Sequence, residues 1–132
     1  MILDTNWYIS GTINHNSRRL FYQLITNQKF EVFYSRELLS EYKDVITREK
    51  FKKYITWEQA KRFIRLILPL LSEVVITTEI DQSRDKKDNF LLSMATDAKA
   101  DYLITRDPDL LELKSIGKTK ILNMREFTTL EL

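Results

Sequence analysis

The chain has no cysteine, one histidine, two glycines and two prolines in 132 residues. Lacking cysteine, it has no disulfide framework, no thiolate metal site and no cysteine nucleophile, and a reducing cytoplasm is the expected setting. Long apolar runs are missing too. The longest, around Leu66 to Leu71, falls far short of a membrane span. No basic, apolar and small-residue leader is legible at the start. The expectation is a soluble cytoplasmic protein with no membrane partner. Net charge is only +2, which argues against a polycation that binds nucleic acid indiscriminately.

What is present is a 43% hydrophobic chain, enough for one core, and one domain over residues 1–132 is expected. With little Gly or Pro, boundaries come from caps and periodicity. Ile2-Leu3 reads as a short buried strand, and Leu20, Phe21, Leu24 and Ile25 carry helical spacing. Phe30 to Tyr34 reads as a second strand. Ser35 is a suitable N-cap for a helix with Leu38, Leu39, Tyr42, Val45 and Ile46 on one stripe. Thr56 and Gln59 form a capping box ahead of Trp57, Ala60, Phe63, Ile64, Ile67 and Leu71. Val74 to Ile76 reads as a third strand, Phe90 to Ala98 as a helix, and Tyr102 to Ile104 and Lys120 to Leu122 as two further strands. Short apolar strands separated by helices favour a parallel sheet covered on both faces. The fold class expected is α/β, a three-layer α/β/α domain with a central parallel sheet of about five strands.

Ligand sites in such sheets lie beyond the carboxyl ends of the strands. In the opening stretch MILDTN, Asp4 directly follows the first strand, and Asp107 closely follows Tyr102 to Ile104. Both emerge at one edge if those strands are neighbours. Asp107-Pro108-Asp109 is also ordinary turn chemistry. Asp88 precedes the helix near Phe90 and reads as an N-cap, a ligand, or both; Asp85 competes for the same role. Glu41 falls roughly 40° beyond the apolar stripe of its helix, where a carboxylate can lean over the sheet edge. Glu37 lies further round and is expected in solvent.

Three aspartates and a glutamate at one edge would repel one another as bare anions, and a divalent cation resolves that conflict. Oxygen-only donors, with the lone His15 in a polar loop, point to Mg²⁺ or Mn²⁺ over Zn²⁺. Between Lys43 and Arg65 stand eight basic residues, Lys43, Arg48, Lys50, Lys52, Lys53, Lys61, Arg62 and Arg65, against Asp44, Glu49 and Glu58. This excess reads either as solvated helix faces or as a phosphate-facing patch.

Taken together, Leu3-Asp4-Thr5-Asn6, Glu41 within ELLSEYKDV, Asp88 within RDKKDNFLLSMA and Asp107 within ADYLITRDPDLL resemble the PIN domain, nearest to small stand-alone members described as toxin components of toxin-antitoxin pairs. The resemblance implies a PIN-like fold and a metal-dependent ribonuclease hydrolysing RNA phosphodiester bonds. Asp4, Glu41, Asp88 and Asp107 would be its catalytic and metal-holding cluster, with one or two Mg²⁺ or Mn²⁺ ions. Thr105 would orient the cluster and Asn6 would support Asp4. Lys43, Lys50, Lys52, Lys53 and Arg106 would hold the RNA backbone, conferring affinity more than sequence choice. A cognate antitoxin whose segment covers the site, and a homodimer, are implied as partners. Members usually carry a small aliphatic residue after that Asn; here Trp7 and Tyr8 follow, either narrowing the entrance or packing inside.

Other readings compete. An RNA-processing nuclease outside toxin-antitoxin pairs would use the same residues. A non-catalytic RNA- or partner-binding PIN-like module is a further alternative, against which the intact acidic set argues. A phosphoaspartyl phosphatase wants a second Asp where Asn6 stands, and a receiver wants its acceptor after the third strand, where Thr77-Thr78-Glu79 stands.

Overall fold

A computed structural model describes residues 1–83 and 88–132. The architecture is mixed α/β with mostly parallel strand pairing. The chain divides into two compact units, one made of Met1–Asp4 with Val74–Leu132 and the other of Thr5–Glu73.

In the first unit, β1 (Ile2–Leu3) pairs in parallel with β4 (Tyr102–Ile104), Ile2 facing Leu103 and Leu3 facing Ile104. On its other side β4 pairs in parallel with β6 (Thr119–Leu122). The first and fourth strands are therefore neighbours, as the shared-edge expectation requires. The edge strand β5 (Ser115–Ile116) runs antiparallel to β6. The two are joined through Gly117 and Lys118, and Gly117 holds φ +54°, a conformation open to glycine at no steric cost. This hairpin was not anticipated from the sequence. Helices α5 (Asn89–Ala98), α6 (Pro108–Leu111) and α7 (Met124–Glu131) complete the unit. Its core comprises Ile2, Leu3, Leu91, Leu92, Leu103, Ile104 and Phe127, all fully buried or nearly so.

The second unit opens with α1 (Thr5–Ile13) and α2 (His15–Ile25). Then come β2 (Phe33–Tyr34), α3 (Arg36–Ile46), α4 (Trp57–Ile67) and β3 (Ser72–Glu73), with β2 and β3 paired in parallel. The two anticipated caps are present. Ser35 Oγ accepts from the Leu38 amide, and Thr56 and Gln59 exchange both bonds of their capping box. The packing centre is aromatic: Tyr8 meets Phe21 edge-on at 4.9 Å, and Phe21 meets Phe63 at 5.9 Å. Such pairs contribute about 0.5–1.5 kcal/mol each beyond the area they bury. Gly11 sits against them, where a Cβ would stand 3.2 Å from Phe63 Cζ.

The third strand lies two residues earlier than Val74 to Ile76. Ser72 takes the pairing position by donating its amide to Val32 O. Downstream, the amides of Thr77 and Thr78 go to the Asp97 carboxylate, so that segment satisfies its backbone without a ladder. Val75 is accordingly 73% exposed.

Candidate active site

The site is built on the carboxyl ends of β1 and β4, within the first unit. Asp4 is the residue after β1, and its amide donates to Ile104 O at 3.0 Å, extending the strand pairing by one step. This locks the Asp4 backbone beside Thr105, the residue after β4. The Thr105 hydroxyl donates to Asp4 Oδ2 at 2.5 Å. Thr105 Oγ1 in turn accepts from the Asp107 amide at 3.1 Å. Thr105 is fully buried and Asp4 is 5% exposed. One hydroxyl thus links the first and last predicted acids, donating to one side chain and accepting from the other residue's backbone.

Asp107 caps α6: its Oδ1 accepts from the Asp109 amide at 2.8 Å, with Pro108 at the first helical position. The turn reading of Asp107-Pro108-Asp109 is correct as local structure. The cap holds the Asp107 carboxylate on the Asp109 amide, while the Asp107 amide is held by Thr105.

Asp88 occupies the N-cap position of α5, yet its side chain makes no capping hydrogen bond. The neighbouring Asn89 organises this helix start. Its Oδ1 accepts from the Ser83 amide at 2.9 Å, and its Nδ2 donates to Asp81 Oδ1 at 3.1 Å. Asp85, the competitor of Asp88, lies outside the described residues.

Glu41 lies in the second unit, half-buried on α3 beside the buried Tyr42. Its Oε2 accepts from the hydroxyl of Thr5 at 2.9 Å. Thr5 is 3% exposed and is the residue joined to Asp4 along the chain. Glu37 is exposed, as the helical wheel predicts. Asn6 is exposed in the first turn of α1. Trp7 and Tyr8, at 7% and 0% exposure, pack inside, which decides between the two readings of their bulk.

The basic residues divide. Lys52 pairs with Glu49 at 2.9 Å. Lys50 and Lys53 lie over the rings next to them in sequence, Phe51 and Tyr54, at 5.1 and 5.2 Å from the centroids. Lys43 reaches across to Trp57 at 5.2 Å. Arg106 is exposed, between Thr105 and Asp107 in the chain. His15 is exposed at the start of α2.

Thr5 and Asn89 were missed by the sequence reading. Thr5 carried a signal, a hydroxyl directly after Asp4, but its direction becomes meaningful only once α1 is known to begin there. Asn89 looked like the residue after a cap and carried none.

A strand-borne aspartate braced by the hydroxyl two residues before a second aspartate is the arrangement the sequence motifs imply, and a family model described as PIN domain matches residues 1–109. This chain belongs to the PIN-domain family. PIN domains are generally nucleases, hydrolases of the phosphodiester bond, and they typically use divalent metal ions. Among curated proteins no match was found.

Among the described residues no group of three or more His, Asp or Glu side chains is gathered as a metal-holding set. The braced pair Asp4 and Asp107 supplies carboxylate oxygens without nitrogen or sulfur, which fits a hard cation such as Mg²⁺ or Mn²⁺. Among the described residues no helix is long and apolar enough to cross a membrane.

Proposed function

We propose that this PIN domain, taken as the whole of residues 1–132, is a metal-dependent endoribonuclease. Asp4, Glu41, Asp88 and Asp107 hold one or two Mg²⁺ or Mn²⁺ ions. The observation that carries this reading is the shared hydroxyl of Thr105, which ties Asp4 to Asp107 behind a family match running through both. The bound ion supplies Lewis-acid stabilisation of the scissile phosphate and a water of lowered pKa.

The chain's own residues do the rest. Thr105 fixes the rotamer of Asp4 by donating to Oδ2, which leaves the orientation of that carboxylate independent of substrate. The α6 cap does the same for Asp107. Glu41, oriented by Thr5, helps bind the ion or orients the attacking water. Asp88 binds directly or through water. The exposed cations Lys50, Lys53 and Arg106 hold the flanking phosphates, which gives affinity without sequence choice. In this reading the protein is the toxin of a type II toxin-antitoxin pair, a homodimer restrained by an antitoxin segment that covers the site.

The test is cleavage of a mixed RNA pool with Mn²⁺, Mg²⁺ or EDTA, comparing the natural chain with Asp4→Asn. Metal-dependent cleavage that disappears in a folded Asp4→Asn protein supports the assignment. Undiminished cleavage by that variant removes Asp4 from the site. Absence of both cleavage and Mn²⁺ binding by calorimetry turns the reading to a non-catalytic module.

A further inference from the structure

The Thr5–Glu73 unit carries a groove of about 450 Å³ between α3 and α4, a volume in the usual range for ligand pockets. Its wall is apolar: Leu39 and Tyr42 come from α3, and Trp57 and Ile64 from α4. Its polar lining is almost entirely cationic, with Arg36 and Lys43 on α3 and Lys61 and Arg65 on α4. On α3 these positions recur every three or four residues from Arg36 to Lys43. On α4 they recur likewise from Trp57 to Arg65. Each helix therefore lays one stripe along the groove, over roughly 10 Å of helix length.

We propose that this groove seats an acidic segment of a partner protein, which inserts large apolar side chains between the helices and sets Asp or Glu against the cations. Charge selects this occupant. Two of the four cations have acidic neighbours already, Lys61 with Glu58 at 3.0 Å and Arg36 with Glu73 at a loose 4.0 Å. Lys43 and Arg65 have no acidic partner among the described residues, and Lys43 is held over the Trp57 ring. Lys61 also approaches that ring, at 5.9 Å. The aromatic surface is thus occupied by ammonium groups, which suits carboxylates and hinders stacking of a nucleobase.

The wall also offers little to read a base. The Tyr42 hydroxyl is already bonded to Thr12 at 2.5 Å and lies 1% exposed. A second copy of this chain is disfavoured for a different reason: a self-complementary contact would set two cationic rims against each other. Large apolar anchors in a desolvated pocket, ringed by complementary charge, are the usual source of binding energy at such interfaces.

This inference goes beyond the nuclease reading and does not rest on it, so its test uses no cleavage. A random peptide library displayed on phage is selected against the full chain, and again against the Lys43→Glu/Arg65→Glu double variant. Both substitutions are at exposed positions and leave the apolar wall intact. The expected result is enrichment of peptides with acidic residues beside Leu, Phe or Trp. Their affinity for the double variant should fall by at least about tenfold and weaken with salt. A second variant, Ile64→Ala, should weaken the same peptides while circular dichroism stays unchanged. The proposal is overturned if no peptides are enriched, if those enriched lack acidic residues, or if they bind both variants as well as the natural chain. Displacement of the peptides by short oligouridine, with its own loss of binding to the double variant, would assign the groove to RNA and overturn it equally.

Discussion

Thr105 does two things with one oxygen, and its neighbours depend on both. It donates to Asp4 Oδ2 and accepts from the Asp107 amide, in a position closed to solvent. Thr105→Val keeps the shape but removes the hydroxyl, so two buried bonds are lost together. A stability loss of about 1–3 kcal/mol in urea unfolding is expected, because a buried polar group that loses its partner bears its full desolvation cost. Thr105→Ser should recover most of it. On the proposed ribonuclease reading, RNA cleavage should follow the same order, since the Asp4 carboxylate loses its fixed orientation in the valine variant. Thr5 supports a narrower prediction. Its hydroxyl orients Glu41 without belonging to the acidic set. Thr5→Val should lower kcat roughly tenfold to a hundredfold while leaving KM nearly unchanged, as expected when a positioned group is misaligned but binding surfaces are intact. Rescue by Thr5→Ser would show that the hydroxyl matters; equal loss in both variants would show that it does not.

The helices differ in how openly their sequences announce them, and the difference is physical. Helices α3 and α4 pair an apolar stripe with a cap, so periodicity and capping agree on them. Helix α1 has neither: Thr5, Trp7, Tyr8, Ile9, Gly11 and Thr12 are all buried, leaving no polar face to define a period. A helix buried nearly all round resembles an apolar strand or loop in sequence, which is why the chain after Asp4 was illegible and Thr5 went unnoticed. Helix α7 did carry a signal, the reciprocal capping box of Asn123 and Glu126. Asp4, Thr105 and Asp107 were legible because they follow short strands whose pairing the alternation of elements dictates. The stretch before α5 was less so, because its backbone is satisfied by side chains. There Asp97 accepts from the hydroxyls and amides of both Thr77 and Thr78. These bonds, the Thr78 hydroxyl foremost, hold its carboxyl below the ordinary value of 3.8. A lowered folded value means the tether contributes above 3.8 and is lost as the pH falls further, through the folded value. Asp97→Asn should therefore speed hydrogen exchange at the Thr77 and Thr78 amides near neutral pH. That difference should close in strong acid, where Asp97 itself is protonated.

Stability of the chain toward base should be governed by two phenols. Tyr8 and Tyr42 are the largest fully buried side chains. Burial raises the Tyr42 phenol from 10.0 to about 12, partly countered by its hydrogen bond to Thr12. Burial raises Tyr8 further still. Unfolding exposes both rings and returns them to ionisation near 10.0. Above that pH the unfolded state loses protons that the folded state retains, so stability falls as the pH rises from 10.0 toward about 12. The urea midpoint should be flat just below this window and drop steeply within it. In tyrosinate absorbance, Tyr8 and Tyr42 should ionise only together with loss of circular dichroism. Tyr42→Phe separates the two contributions. It removes one titrating group and one hydrogen bond, so it should cost about 1 kcal/mol near neutral pH and make the alkaline decline shallower. An unchanged slope would place the alkaline sensitivity on phenols other than Tyr42, Tyr8 foremost. That phenol sits in the aromatic centre against Phe21, and its oxygen has no hydrogen-bond partner among the described residues. Ionising it requires opening the core, which makes base unfolding of the Thr5–Glu73 unit a report on its packing.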